Sequence, residues 1–170
     1  MATVVTWPLE RNVIRKHSVS NTFGMVRKKA DGTPKPHQGW DLEANVGTSA
    51  NAVGDGKVVF VQNGGDYGLQ VCMLFRFQER TYYAFYAHMS HLFVAAGQEV
   101  KMGERIGTTG KSGNAANLSA DEDHLHFEIR TTPHCGLGLD GRVSPLVIYG
   151  ICPLHAPVLG RVSGVSGTTA

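Results

Sequence analysis

Sulfur and charge are both scarce in this chain. Its 170 residues include three cysteines, Cys72, Cys135 and Cys152. An odd count at such wide spacing argues against a CxxC zinc knuckle and a disulfide-stapled scaffold. A Cys135–Cys152 bridge across the C-terminal loops would rest only on nearness in sequence, so reduced thiols, with Cys72 in a strand core, are the preferred reading. Charged residues make up 18% of the chain and leave a net charge of +2. That is too mild a balance to argue for nucleic acid, and no Lys/Arg run with interleaved aromatics is present. The basic group Arg27-Lys28-Lys29 reads as a solvated loop. No stretch approaches the ~18 apolar residues of a membrane span, so no stable membrane insertion is expected. The opening MATVVTWPLERNVIRKH has no basic segment followed by the ~7–15 apolar residues of a secretory signal, so no Sec signal is expected. Helical periodicity is absent too, as are internal repeats.

What remains is a β pattern. Apolar content is 42% and glycine numbers 21, which suits one globular domain with many tight turns. Short apolar stretches stand between glycine-containing turns at 56–62, 68–77, 80–89, 98–110 and 124–131. "NGGDYG" signals a hairpin between the first two, and "QER" a short turn between the next two. On a straight strand, Tyr82, Ala84, Tyr86 and His88 share one face of "TYYAFYAH", with Tyr83, Phe85 and Ala87 on the other. The expectation is a single all-β domain over residues 1–160, predominantly antiparallel, with long loops at 15–37, 111–123 and 132–147. The Gly/Ser/Thr-rich segment 161–170 reads as a flexible tail.

Two histidine motifs stand out. In "PHQGWDLE" His37 and Asp41 are four apart, about 13 Å on a straight strand, too far to share one ion at roughly 2 Å per bond. The backbone must bend between them if they do, and Gly39 and Pro36 suit that bend. In "DEDHLHFEIR" His124 and His126 point to one side of a strand with Cα atoms about 6.6 Å apart. That spacing suits one ligand and one imidazole reaching a water. A histidine, a carboxylate and a second histidine leave a fourth tetrahedral position open, the pattern of a catalytic rather than a structural zinc. His88 could add an imidazole. Glu128, on the face of His124 and His126, reads equally as an orienting carboxylate or a plain surface one.

"HQGWD", "YAHMS" and "HLHFEIR", in that order, resemble the lysostaphin-type M23 zinc metallopeptidases, which cleave cell-wall peptides. "GTSANAVGDGKVVFV", "AAGQEVKMGERIGTTGKSG" and "GRVSP" fit the same pattern, and the resemblance spans about residues 20–146. It implies that His37, Asp41 and His126 bind one Zn²⁺ per chain. It puts His124 beside the nucleophilic water and His88 in the place of the other non-ligand histidine. Which of His88 and His124 is the base and which the electrostatic donor is left open. The implied shape is an open groove with the sheet as floor and loops as walls, binding a peptidoglycan stem or cross-bridge peptide. Trp40, Tyr82 and Tyr86 are candidates to line it or to pack the core.

The chain departs from the family in places. "FGMVR" has one residue more than the usual Phe-Gly-x-Arg, which puts the role of Arg27 in question. "KSGNAANLSADED" is long and acidic, and Asp121, Glu122 and Asp123 read mainly as a solvated loop. "TTPHCGLGLDGR" is an elaboration. His17, His134 and His155 read as bystanders, and His91 as somewhat nearer the site. The resemblance also implies action in the periplasm or cell wall. Lacking a Sec signal, the chain would get there by contact-dependent secretion, as an antibacterial effector with a cognate immunity protein, or by phage delivery. A monomer is expected. The main alternative is an inactive M23-like wall- or protein-binding module; a lipoyl-type carrier leaves the histidines unexplained, and a cupin would place them in the reverse order.

Overall fold

The computed structural model describes residues 4–160, and the tail expected at 161–170 lies outside them. Short strands come first: β1 (Arg11–Asn12), β2 (Gly24–Lys28), β3 (Pro34–His37), β4 (Trp40–Glu43) and β5 (Ser49–Asn51). Three long ones follow, β6 (Gly56–Gly64), β7 (Gly68–Phe77) and β8 (Arg80–Leu92). The rest are β9 (Glu99–Val100), β10 (Arg105–Thr109), β11 (His124–Arg130), β12 (Arg142–Val143), the short helix α1 (Leu146–Tyr149) and β13 (Val158–Leu159). The all-β, antiparallel expectation holds. The segment 98–110 resolves into two strands, β9 and β10. The 15–37 loop is not all loop, because it contains the β2–β3 hairpin, and 132–147 contains β12 and the start of α1.

The main sheet runs β12-β11-β8-β7-β6-β9, with β4 beside β11 and β10 pairing both β8 and β5. "NGGDYG" closes the β6–β7 hairpin, with Gly64 opposite Gly68. "QER" closes β7–β8 through Gln78 and Glu79, both at positive φ (48° and 64°). Two such residues match the twist of the strands they join.

Alternation along the strands divides the sheet into two faces. Leu125, Phe127 and Ile129 of β11, Ala84 and Tyr86 of β8, Met73 and Phe75 of β7, and Trp40 and Leu42 of β4 build the main core. Each fully buried large apolar side chain there contributes about 1.5–3 kcal/mol. The opposite face carries Cys72, Phe85 and Ala87, a smaller apolar cluster under Phe60, Tyr67 and Tyr83, beside the polar residues of β11. Trp40, Tyr82 and Tyr86 therefore line no groove; all three are core residues on the far face. The cysteines are free thiols, and burial pushes Cys72 up to about 12.

One local irregularity decides where a histidine goes. Leu69 faces Met89 while Val71 faces Tyr86, so β8 holds one residue more than β7 across this interval. The extra residue is a bulge, and His88 sits in it at φ 59°. A bulge breaks alternation. His88 consequently leaves the Tyr86 face, where a straight strand would put it, and its ring stands 5.2 Å from that of His124.

Candidate metal centre

Cross-strand register brings Asp41 to His126. β4 and β11 pair antiparallel with Asp41 opposite His126 and Trp40 opposite Phe127, so one pair lies on the polar face and the next in the core. His37 ends β3, and the chain bends through Gln38 and Gly39 before β4. Gly39 permits this less by its dihedral freedom than by its lack of a side chain. A Cβ at this position would lie 2.2 Å from the Phe127 carbonyl oxygen and 2.9 Å from Glu128 Cγ.

Among the described residues, His37, Asp41 and His126 form the group able to hold a metal ion, with one donor atom from each lying within 4.8 Å of the others. His37 Nε2 is 3.1 Å and His126 Nδ1 2.9 Å from Asp41 Oδ1. Ligands about 2.0–2.1 Å from a tetrahedral zinc stand roughly 3.3 Å apart, close to these separations. The groups behind the donors fit as well. His37 Nδ1 donates to the Thr22 carbonyl at 2.8 Å, which leaves Nε2 with a free lone pair. His126 Nε2 faces Glu128 Oε1 at 2.9 Å. Asp41 Oδ2 accepts from Arg15 Nη2 at 3.0 Å and Arg27 Nη2 at 3.1 Å, so Oδ1 alone faces the histidines. All three residues are buried. The donor set is two imidazoles and a carboxylate, each oriented from behind, and it suits Zn²⁺.

Without a metal, this cluster holds a proton instead. Burial works against charge on His126, but the hydrogen bonds of Asp41 and Glu128 outweigh it and hold the ring up at about 9. Burial likewise opposes the charge on Asp41, and the neighbouring His126, His37 and His124 overcome it, so its carboxyl lies well below the usual range. Glu128 is also held low: its burial is outweighed by His126, Arg130 and Arg142.

The structure brings His124 and His88 to the same place. The His88 ring lies 6.0 Å from that of His126, and His124 Nε2 is 3.7 Å from Asp41 Oδ1. Each is tethered through Nδ1, His88 to the Ser112 carbonyl at 2.8 Å and His124 to the Glu122 carbonyl at 2.9 Å. A carbonyl only accepts, so each Nδ1 carries the hydrogen and each neutral ring keeps a free lone pair on Nε2; at His124 the Glu122 carbonyl is nearer to Nδ1 than Arg15 Nη1, a donor 3.3 Å away. Burial, then the neighbouring imidazoles, push His88 down to about 4, and burial also lowers His124. Both rings are therefore neutral at pH 7.

Glu128 is no surface carboxylate. It is fully buried, and its Oε2 accepts from Arg130 Nε at 2.6 Å and Arg142 Nε at 2.8 Å. Tyr67, which no sequence motif singled out, stands 2.6 Å from Glu128 Oε1, bonds Gln38, and stacks on His126 at 5.4 Å. Arg27 leaves the solvated-loop reading for its bond to Asp41, the extra residue in "FGMVR" notwithstanding. Asp121 and Glu122 belong to a 3-10 turn at 120–122 whose carbonyl holds His124. His17, His91, His134 and His155 are exposed and lie outside the metal group. His91 contacts Thr108 and His134 stacks on Phe60.

Comparison with known proteins agrees with this geometry. Residues 35–136 match the sequence model of peptidase family M23. The peptidoglycan DD-endopeptidase ShyA of Vibrio cholerae is 35% identical over 94 residues, 55% of this chain and 20% of that protein. The murein hydrolase activator NlpD of Escherichia coli is 33% identical over 125 residues, 73% of this chain and 27% of that protein. The chain thus spans about a quarter or less of the length of these relatives. The catalytic domain of the antimicrobial peptidase lysostaphin from Staphylococcus simulans superposes with a TM-score of 0.61 at 24% identity, over 76% of this chain and 90% of that domain, and shares its fold.

Proposed function

The chain belongs to peptidase family M23, and on that premise we propose that it is a zinc-dependent endopeptidase hydrolysing amide bonds in the peptides of peptidoglycan. One observation carries the reading: three oriented donor atoms gather at Asp41 Oδ1, and two neutral imidazoles stand beside them. ShyA, named for peptidoglycan endopeptidase activity, supports the substrate class. An activator or inactive binding module would have no need of this complete set; NlpD is a relative named as a murein hydrolase activator.

His37 Nε2, Asp41 Oδ1 and His126 Nδ1 would hold the ion. Zinc there supplies Lewis acidity toward water and the scissile carbonyl. His124, neutral and with Nε2 free, takes the proton from the attacking water and returns it to the departing amine. His88 has the same tether and the same free nitrogen, so it cannot donate to an oxyanion until it has itself gained a proton. The structure thus favours bases at both positions over a resting imidazolium at His88. Arg15 and Arg27 keep the second oxygen of Asp41 occupied, and Glu128 fixes the His126 ring.

Action on peptidoglycan puts the work in the periplasm or cell wall. If the wall belongs to a rival cell, the protein is an antibacterial effector and its producer needs a cognate inhibitor. The test is digestion of purified sacculi by the zinc-loaded chain, with mass spectrometry of the released fragments. New amine termini within stem or cross-bridge peptides are the expected product; intact sacculi with metal bound would refute the reading.

A further inference from the structure

Arg15 stands where the metal group meets the neighbouring base. It opens the 3-10 turn Arg15–His17, directly after an antiparallel bridge between Ile14 and Leu42 that seats it beside Asp41. Lys16 and His17 of that turn have φ of 55° and 50°, in the left-handed region that such residues hold only when their surroundings impose it. The surroundings do so here. Lys16 Nζ pairs with Asp121 at 2.6 Å, and His17 Nδ1 donates to the Leu154 carbonyl at 3.0 Å. A strained turn held from two sides fixes the direction in which Arg15 leaves it.

Two arginines reach Asp41, and they differ in one respect. Arg15 Nη2 and Arg27 Nη2 both donate to Asp41 Oδ2, at 3.0 and 3.1 Å, and both donate to Asn21 Oδ1, at 2.7 and 3.0 Å. Arg27 spends its Nε on the Ser20 carbonyl at 2.8 Å. Arg15 instead turns Nη1 toward the base, 3.5 Å from the Glu122 carbonyl oxygen and 3.3 Å from His124 Nδ1. A guanidinium only donates, and the Nδ1 hydrogen of His124 is aimed at the same carbonyl. Arg15 and His124 are thus two donors converging on one oxygen, whose two lone pairs accept both. The Arg15 side chain is also the drier of the two, 12% exposed against 30% for Arg27, and hydrogen bonds strengthen as water is excluded.

We propose that Arg15 is a positioning residue of the hydrolytic reaction: one planar cation ties the carboxylate that would bind zinc to the carbonyl that aims His124, and so fixes the base relative to the ion. Lysine, a single point charge, cannot span both partners. Arg27 supports the ligand, whereas Arg15 supports the ligand and the base. This rests on the endopeptidase reading above.

The test compares Arg15→Gln, Arg15→Lys and Arg27→Gln. Both glutamine variants should weaken zinc by about tenfold in a chelator competition, since each removes one donor behind Asp41. At saturating zinc, on a soluble wall peptide that the wild-type chain cleaves, Arg15→Gln should lose about tenfold more kcat than Arg27→Gln, with KM unchanged. Arg15→Lys should not recover that loss. In a His124→Ala background the excess should vanish, because it acts through that ring. Equal kcat losses for the two arginines, recovery by lysine, or an excess that persists without His124 overturns the assignment. Long-range proton–nitrogen correlation spectra of the zinc-loaded protein give a readout that needs no turnover. The His124 ring should show one tautomer, with its hydrogen on Nδ1, in the wild type and in Arg27→Gln, and a mixture of both tautomers in Arg15→Gln. Matching spectra for the two glutamine variants overturn the positioning role. The expected spectra from a wild-type chain that hydrolyses nothing would leave the link between Arg15 and His124 standing and refute the endopeptidase reading instead.

Discussion

His126 is braced from behind by Glu128: Nε2 and Oε1 stand 2.9 Å apart, while Nδ1 of the same ring lies 2.9 Å from Asp41. Glu128 has no exposure and also holds Arg130 and Arg142. Glu128→Gln keeps the shape but removes the charge that orients the ring. Zinc affinity should fall about 10–100-fold, as measured by competition with a chromophoric chelator. The variant should also melt earlier, because two buried guanidiniums lose their carboxylate. Unchanged affinity would refute the bracing role.

The two histidines of "HLHFE" should separate metal binding from chemistry. His126→Ala removes a donor atom and should lose both zinc and sacculus digestion. His124→Ala should retain most of the zinc and lose about 10²–10⁴-fold in rate, the usual worth of a positioned base. Metal content by atomic emission, read beside the digestion rate, distinguishes them. If both variants digest sacculi normally, the site assignment fails.

In the metal-free protein the His126 value of about 9 stands above the ordinary 6.5. A ring that binds its proton more tightly when folded adds stability that is complete below about pH 6.5 and is lost as pH rises through about 9. The metal-free Tm should fall over that interval. Zinc requires Nδ1 without its proton, so its affinity should rise over the same range and the loaded protein should lack the His126-linked fall. Thermal melts from pH 6 to 10, with and without zinc, check this; a flat metal-free profile would count against the imidazolium.

Gly39 and Phe127 are packed too closely for any side chain between them. Gly39→Ala puts a Cβ 2.2 Å from a backbone oxygen, which cannot move without shifting β11. Overpacking of this kind costs about 1–3 kcal/mol, and the shift would pull Asp41 out of register with His126. A lowered Tm together with weakened zinc binding is expected, whereas a wild-type Tm would show that the strands do not approach this closely.

Much of the scaffold was legible because alternation is a local property. The runs that became β6, β7, β8 and β11 carry it openly, and the glycines of "NGGDYG" mark their turn. The candidate donors His37, Asp41 and His126 were legible through a family pattern, since spacing alone could not bring residues four apart into one group. What was hidden depends on partners far along the chain. Nothing near Tyr67 or Arg15 in sequence says that they meet Glu128 or Asp41. The aromatics Trp40, Tyr82 and Tyr86 gave no hint which face of the sheet they would occupy. Face assignment needs the register, and register is a property of strand pairs.

The face of His88 was the least legible feature, and it yields the sharpest contrast between variants. Its backbone sits at φ 59° inside a bulge, a region where asparagine is tolerated and β-branched residues are not. His88→Asn should preserve the bulge and the melting temperature while removing the imidazole, so that zinc binds normally and the hydrolysis rate falls about 10²–10⁴-fold. His88→Val should instead cost about 1–3 kcal/mol in backbone strain and disturb the Ser112 contact as well. If the asparagine variant hydrolyses at the wild-type rate, His88 serves only to shape the strand, and proton transfer falls to His124 alone. If it loses activity without losing zinc or stability, the bulge exists to turn this ring toward the metal.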